Sequence, residues 1–146
     1  MTYHKGRFSP KNPKKYGGDP TKIIYRSGWE RKVMVYLDEN PNVLEWKSEE
    51  LAIPYVSPVD NKVHRYFPDF IIKVRKSDGG VKTLMLEVKP KSQTVEPKKQ
   101  NKKTKRYITE VMTWGVNAAK WKSARELCLD RGWEFMLITE DELGIK

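Results

Sequence analysis

Cysteine is almost missing from this chain. Cys128 is the only one in 146 residues, which excludes an intramolecular disulfide and any cysteine-based metal cluster and fits a reducing, intracellular setting. Histidine is scarce too, and His64 has no second histidine at ligand spacing, so it reads as a strand-surface residue rather than a catalytic base. No apolar run approaches the length needed to cross a bilayer. The opening residues, rich in Lys, Pro and Gly, lack the hydrophobic stretch of a signal peptide, and a soluble protein without a membrane partner is expected. Acid is in deficit: 19 Asp and Glu stand against 29 Lys and Arg, a net charge of +10.

That charge is uneven. Residues 1–22 carry +5 and residues 89–106 carry +7, leaving a nearly neutral body. Two such blocks fit a polyanionic partner, with DNA or RNA as the natural class and Lys14, Lys15, Lys91, Lys98, Lys99, Lys102, Lys103, Lys105 and Arg106 as contacts; solvated tails and loops are the competing reading. Apolar content of 38%, with five Trp and seven Tyr, supports one folded domain. Prolines, paired glycines and lysines mark residues 1–24 as a basic extended arm that orders on a partner if at all, leaving 25–146 as a single domain.

Ser27-Gly28-Trp29-Glu30 matches a capping box and opens a helix on which Trp29, Val33, Tyr36 and Leu37 recur, ended by Asn40-Pro41. Val43 to Tyr55 reads as a strand interrupted around Ser48. Tyr66 to Arg75 and Val81 to Lys89 flank an Asp-Gly turn and should pair as a hairpin. Two helices follow, one over 102–113 with Tyr107, Ile108, Val111 and Met112 on its face, and one carrying Ala118, Trp121, Ala124, Leu127 and Cys128 and stopped by Gly132. Trp133 to Thr139 reads as a final buried strand. The expected class is α/β, a mixed sheet flanked by helices.

Pro68-Asp69 and Glu87-Val88-Lys89 carry the chemistry. Side chains alternate along a strand, so Glu87 and Lys89 share one face while Leu84, Leu86 and Val88 take the other. Asp69 faces Glu87 only if the hairpin loop has an odd number of residues; a three-residue loop, Ser77-Asp78-Gly79, achieves this and leaves Gly79 at the position needing positive φ. Pro68, lacking an N–H, implies an edge or a bulge beside Asp69. A carboxylate pair beside an ammonium suits a divalent cation and a charged oxygen next to it. Glu30 has two competing roles, cap and ligand. Glu49 and Glu50 are further acids, expected to be solvated.

The order Glu30, Pro68-Asp69, Glu87-Val88-Lys89 over helix, strand, strand resembles the PD-(D/E)xK nuclease superfamily. Tyr25-Arg26-Ser27-Gly28-Trp29-Glu30, Glu49-Glu50 and Tyr66-Phe67-Pro68-Asp69-Phe70 are similar to phage endonucleases that cut branched DNA. Lys11-Asn12-Pro13, Gly18-Asp19-Pro20, Ile53-Pro54-Tyr55, Glu87-Val88-Lys89-Pro90-Lys91 and Ile138-Thr139-Glu140-Asp141 extend the likeness to head-completion nucleases of T-even-type phages. The resemblance implies a restriction-endonuclease-like core and a Mg²⁺-dependent DNA endonuclease, with Mn²⁺ an admissible substitute. Glu30, Asp69, Glu87 and Lys89 would be catalytic, and Asp69, Glu87, the Val88 carbonyl and Glu30 would hold metal. It also implies action on packaged DNA ends during head completion, portal or neck proteins as partners, and a location in an infected bacterial host or the virion. A non-catalytic DNA-binding head protein, a junction resolvase and an RNA-directed nuclease stay open as alternatives.

Overall fold

The computed structural model describes residues 5–144. Two short strands, β1 (Gly6–Arg7) and β2 (Ile24–Tyr25), pair with each other and lead into α1 (Gly28–Glu39). Strands β3 (Val43–Ser48), β4 (Ile53–Val56), β5 (Val63–Tyr66), β6 (Phe70–Arg75) and β7 (Val81–Val88) follow; a long α2 (Lys105–Arg131), β8 (Glu134–Ile138) and a short α3 (Glu140–Leu143) complete the fold. The central sheet has the order β3-β6-β7-β8, antiparallel except for the parallel β7–β8 pair, while β4 and β5 form a separate ribbon.

Strand parity sorts the side chains of this sheet onto two covered faces. Trp46, Phe70, Ile72, Leu84, Leu86 and Val88 pack against Val33, Met34 and Leu37 of α1. On the opposite face Met85 meets Trp121, Ala124 and Cys128 of α2, together with Ile53, Tyr55 and Tyr66 of the ribbon. Glu87 alternates with Leu86 and Val88, so it lies on the α2 face. Tyr36, expected on the buried side of α1, is exposed.

The hairpin has the expected register. Phe70 pairs with Leu86 and Arg75 with Val81, and the Lys76 N–H reaches the Gly80 carbonyl at 2.7 Å, closing a loop over Ser77, Asp78 and Gly79. Gly79 takes φ +88°, open to glycine and costly for other residues. One step beyond Phe70 and Leu86, Asp69 stands opposite Glu87.

Other expectations need correction. The strand expected from Tyr66 to Arg75 is broken: β5 ends at Tyr66 in the ribbon and β6 begins at Phe70 in the main sheet. The fully buried Pro68, unable to donate to a ladder, sits in the crossing between them. By contrast, the break expected around Ser48 is present: β3 ends at Ser48, the chain turns at Glu49 with φ +53°, and β4 begins at Ile53 in the other sheet. The two helices after residue 102 are one continuous α2. Gly115 lies within it, and a helix tolerates one glycine at a cost of about 1 kcal/mol. Ile108, Val111 and Met112 are exposed rather than forming a buried face. Strand β8 is half-exposed rather than buried, as its place at the sheet edge dictates.

The basic arm is the largest correction. Residues 1–4 lie outside the described residues, but from Lys5 onward the segment is packed rather than waiting for a partner. Phe8, Tyr16 and Ile23 are buried, and the Trp46 ring meets Phe8 and Tyr16 edge-on at 5.9 and 4.7 Å between centroids. Burying such side chains stabilises by roughly 1.5–3 kcal/mol each, which offsets part of the cost of ordering the segment. The buried Asp38 carboxylate accepts from the Lys11 and Asn12 N–H groups at 2.7 and 3.1 Å, pinning the arm to the end of α1.

Candidate active site

Asp69, Glu87 and Lys89 converge at the end of the β6–β7 hairpin. Asp69 Oδ2 accepts from the Val88 N–H at 2.7 Å, which fixes the carboxylate against the next strand. Glu87 is buried, and its Oε2 lies 3.7 Å from Lys89 Nζ. Its Oε1 has no hydrogen-bond partner. A buried carboxylate oxygen left without a donor is costly, so the position fits a bound cation better than a purely structural role. The Tyr66 hydroxyl is also buried without a partner; burial first, and then the charges of Glu87 and Asp69, push its pKa far up, so it remains neutral.

Burial raises the Asp69 pKa well above the ordinary carboxylate range, and the charges of Glu87 and Glu30 add to the effect. Glu30 is buried and also raised, chiefly by desolvation and by Glu49, against the lowering influence of Ser27 and Arg26. These acids feel one another's charge. They do not, however, form one coordination sphere: among the described residues no three Asp, Glu, His or Cys side chains gather closely enough to hold an ion. Glu30 stands near the start of α1, within reach of the charges of Asp69 and Glu87.

The capping box at α1 is only half made. Ser27 Oγ accepts from the Glu30 N–H at 3.2 Å and its hydroxyl reaches Glu30 Oε2 at 3.4 Å, but the Glu30 carboxylate does not close back on the Ser27 N–H. Glu49 and Glu50 are not simply solvated. Glu49 pairs with Arg26 through two contacts, 2.9 and 3.2 Å, and its N–H donates to the Asp69 carbonyl at 3.2 Å; Glu50 accepts from the Tyr16 hydroxyl at 3.2 Å. The positive φ at Glu49, at the interruption expected around Ser48, brings its backbone beside Asp69.

Lys120 is the residue that sequence reasoning missed. It projects from the middle of α2, half-buried, with Nζ 5.7 Å from the Tyr66 ring centroid and 5.9 Å from that of Tyr55. Desolvation lowers its pKa and Lys89 lowers it further, while Glu87 and Asp69 pull it back up. A sequence signal existed: Lys120 falls at helical spacing between Asn117 and Ala124, on the buried stripe, where an unpaired lysine is out of place.

The proposed polyanion contacts are scattered. Lys102, Lys103, Lys105 and Arg106 gather at the start of α2, whose first turn holds no acidic residue, and Lys98 and Lys99 lie exposed in the loop before it. Lys91 pairs with Asp141 at 3.0 Å. Lys15 is committed elsewhere, donating to the carbonyls of Asp38 and Asn40 at the far end of α1, while Lys14 is exposed nearby. A groove of about 480 Å³, walled by Gln93, Arg106, Trp114 and Asn117, runs between the loop after β7 and α2. A more apolar groove of similar volume lies on the α1 face beside Val74 and Met136 and contains none of the site residues.

A mixed four-stranded sheet with a helix on each face, carrying Asp69 and Glu-x-Lys at the end of a hairpin, is the restriction-endonuclease-like fold of PD-(D/E)xK nucleases. Residues 40–140 match the family model described as TnsA-like endonuclease N terminal, and the chain belongs to that family of nucleases. The match spans Asp69, Glu87 and Lys89 but begins after Glu30. Over 144 residues the chain is 42% identical to the head completion nuclease of Enterobacteria phage T4, an alignment covering 96% of this chain and 93% of that protein.

Proposed function

We propose that this chain is a Mg²⁺-dependent DNA endonuclease in which Asp69, Glu87 and the Val88 carbonyl hold the ion. The unpartnered buried oxygen of Glu87, beside Asp69 and within an ion-pair distance of Lys89, is the observation that carries this reading. Two carboxylates and a carbonyl are few ligands, which suits an ion that keeps several waters of its own. When bound, the ion would supply Lewis acidity and a more acidic water at the phosphodiester.

The rest falls to the chain's own groups. The Lys89 ammonium steadies the negative charge that grows on the phosphate oxygens. Glu30, near the start of α1, helps ligate or orient a second ion or its water. The Val88 N–H holds Asp69 in place, so the carboxylate needs no rearrangement when substrate arrives. The lysines at the α2 N-terminus lie about 22 Å along the helix from Lys120, far enough to grip backbone well away from the cut. The basic residues clamp the DNA backbone and so read its shape rather than its base sequence.

The likeness to the T4 protein supports a biological setting: trimming of packaged DNA ends during head completion in an infected bacterium, at the capsid portal. The test is a cleavage assay on single-stranded, flap, junction and duplex DNA in magnesium and in chelator. Magnesium-dependent cutting, strongest on a non-duplex structure, is expected. Binding to all substrates without cutting under any metal would leave only a structural DNA-binding role.

A further inference from the structure

We propose that Lys120 is a second phosphate-contacting cation, reaching the scissile phosphodiester from α2 opposite Lys89; this rests on the nuclease reading of the Asp69–Glu87 pair. Lys89 comes from the sheet and Lys120 from the helix packed over that face, so the two ammonium groups approach the acid pair from different layers.

Three observations support the assignment. Lys120 is half-buried, and among the described residues no carboxylate oxygen comes within 4.0 Å of its Nζ. The Tyr55 and Tyr66 rings hold the ammonium at 5.9 and 5.7 Å, which attracts a cation but provides no anionic acceptor for its three N–H donors. It also lies within electrostatic reach of Lys89, Glu87 and Asp69 together. A purely structural lysine gains nothing from standing near a second lysine. With a phosphodiester between them, both ammonium groups acquire the anion that the fold does not provide, and charge-assisted bonds of this kind are the strong ones.

The experiment measures coupling between side chain and linkage rather than activity alone. The bond cut by the wild-type protein is mapped first. Affinity is then measured in chelator in an Asp69→Asn background, which spares the bond and removes a charge that repels phosphate. The DNA carries either the normal linkage or a neutral methylphosphonate at that bond. With Lys120 present, neutralising the linkage should weaken binding about tenfold or more. With Lys120→Gln or Lys120→Met, the latter retaining the apolar stem against the two rings, the same change should matter little. Lys120→Arg should restore the sensitivity.

Equal loss in the lysine and glutamine proteins would overturn the proposal. A parallel cycle on Lys89→Gln separates the two ideas. If Lys89 couples to the linkage and Lys120 does not, only the role of Lys120 fails. If neither couples, or if the wild-type protein cuts nothing, the reading of the whole centre fails with it.

Discussion

Asp69→Asn should make the metal-free protein more stable while abolishing its cutting. The native carboxyl has a pKa raised by burial and by Glu87 and Glu30, so its charge opposes folding once it ionises. Asparagine keeps an oxygen able to accept from the Val88 N–H and removes the like-charge contact, so about 1–3 kcal/mol should be recovered near neutral pH. For a chain of this length that is a rise of about 3–10 °C in Tm. The sign with pH follows from the direction of the shift. Below the ordinary Asp range both folded and unfolded wild type are protonated and its stability is intact. As pH rises, the unfolded carboxyl ionises first and wild-type stability falls until the raised native pKa is passed. The advantage of Asp69→Asn should therefore vanish in acid and grow toward neutrality, by thermal unfolding in chelator. Saturating magnesium should reverse the order, because only the wild type gains binding energy. A variant no more stable than wild type at neutral pH in chelator, or an advantage that persists in acid, would show that the Asp69 charge does not oppose folding.

Glu30→Gln retains an oxygen for the Ser27 hydroxyl and removes the negative charge, so near-normal Tm with a large loss of cleavage rate is expected; unchanged turnover would return Glu30 to capping alone. Neutralising Lys102, Lys103 and Lys105 together should weaken binding to every DNA sequence alike. It should also flatten the slope of log affinity against log salt by about 0.7–0.9 per lost phosphate contact, as salt titrations would show. The fold should hold or gain slightly, since these cations crowd the positive end of α2.

What was legible in the sequence follows from how local each rule is. Hairpin register depends on parity and one glycine, so the facing of Asp69 and Glu87 was readable from the loop over Ser77, Asp78 and Gly79. The Ser27 cap and the Gly132 stop were readable for the same reason, and both stand in the structure, Gly132 with φ +71°. The arm was not, because three apolar anchors, Phe8, Tyr16 and Ile23, are diluted among lysines, prolines and glycines, and their pocket is built by α1 and β3 far along the chain. Nor was the half-made cap at Glu30, whose carboxylate lies within reach of the charges of Asp69 and Glu87 rather than on the Ser27 N–H. Lys120 shows the remaining gap. Its place on a buried stripe was visible, but its approach to Glu87 depends on how α2 docks against β7 and the β4–β5 ribbon.

Single-turnover cleavage by Glu87→Gln asks whether Glu87 and its neighbours cut DNA. The substitution preserves volume, and the protein would first be matched to wild type in Tm and in DNA binding. Cleavage in magnesium should be slowed by about a hundredfold or more, with binding retained. A folded Glu87→Gln protein that cuts at the wild-type rate would contradict that role.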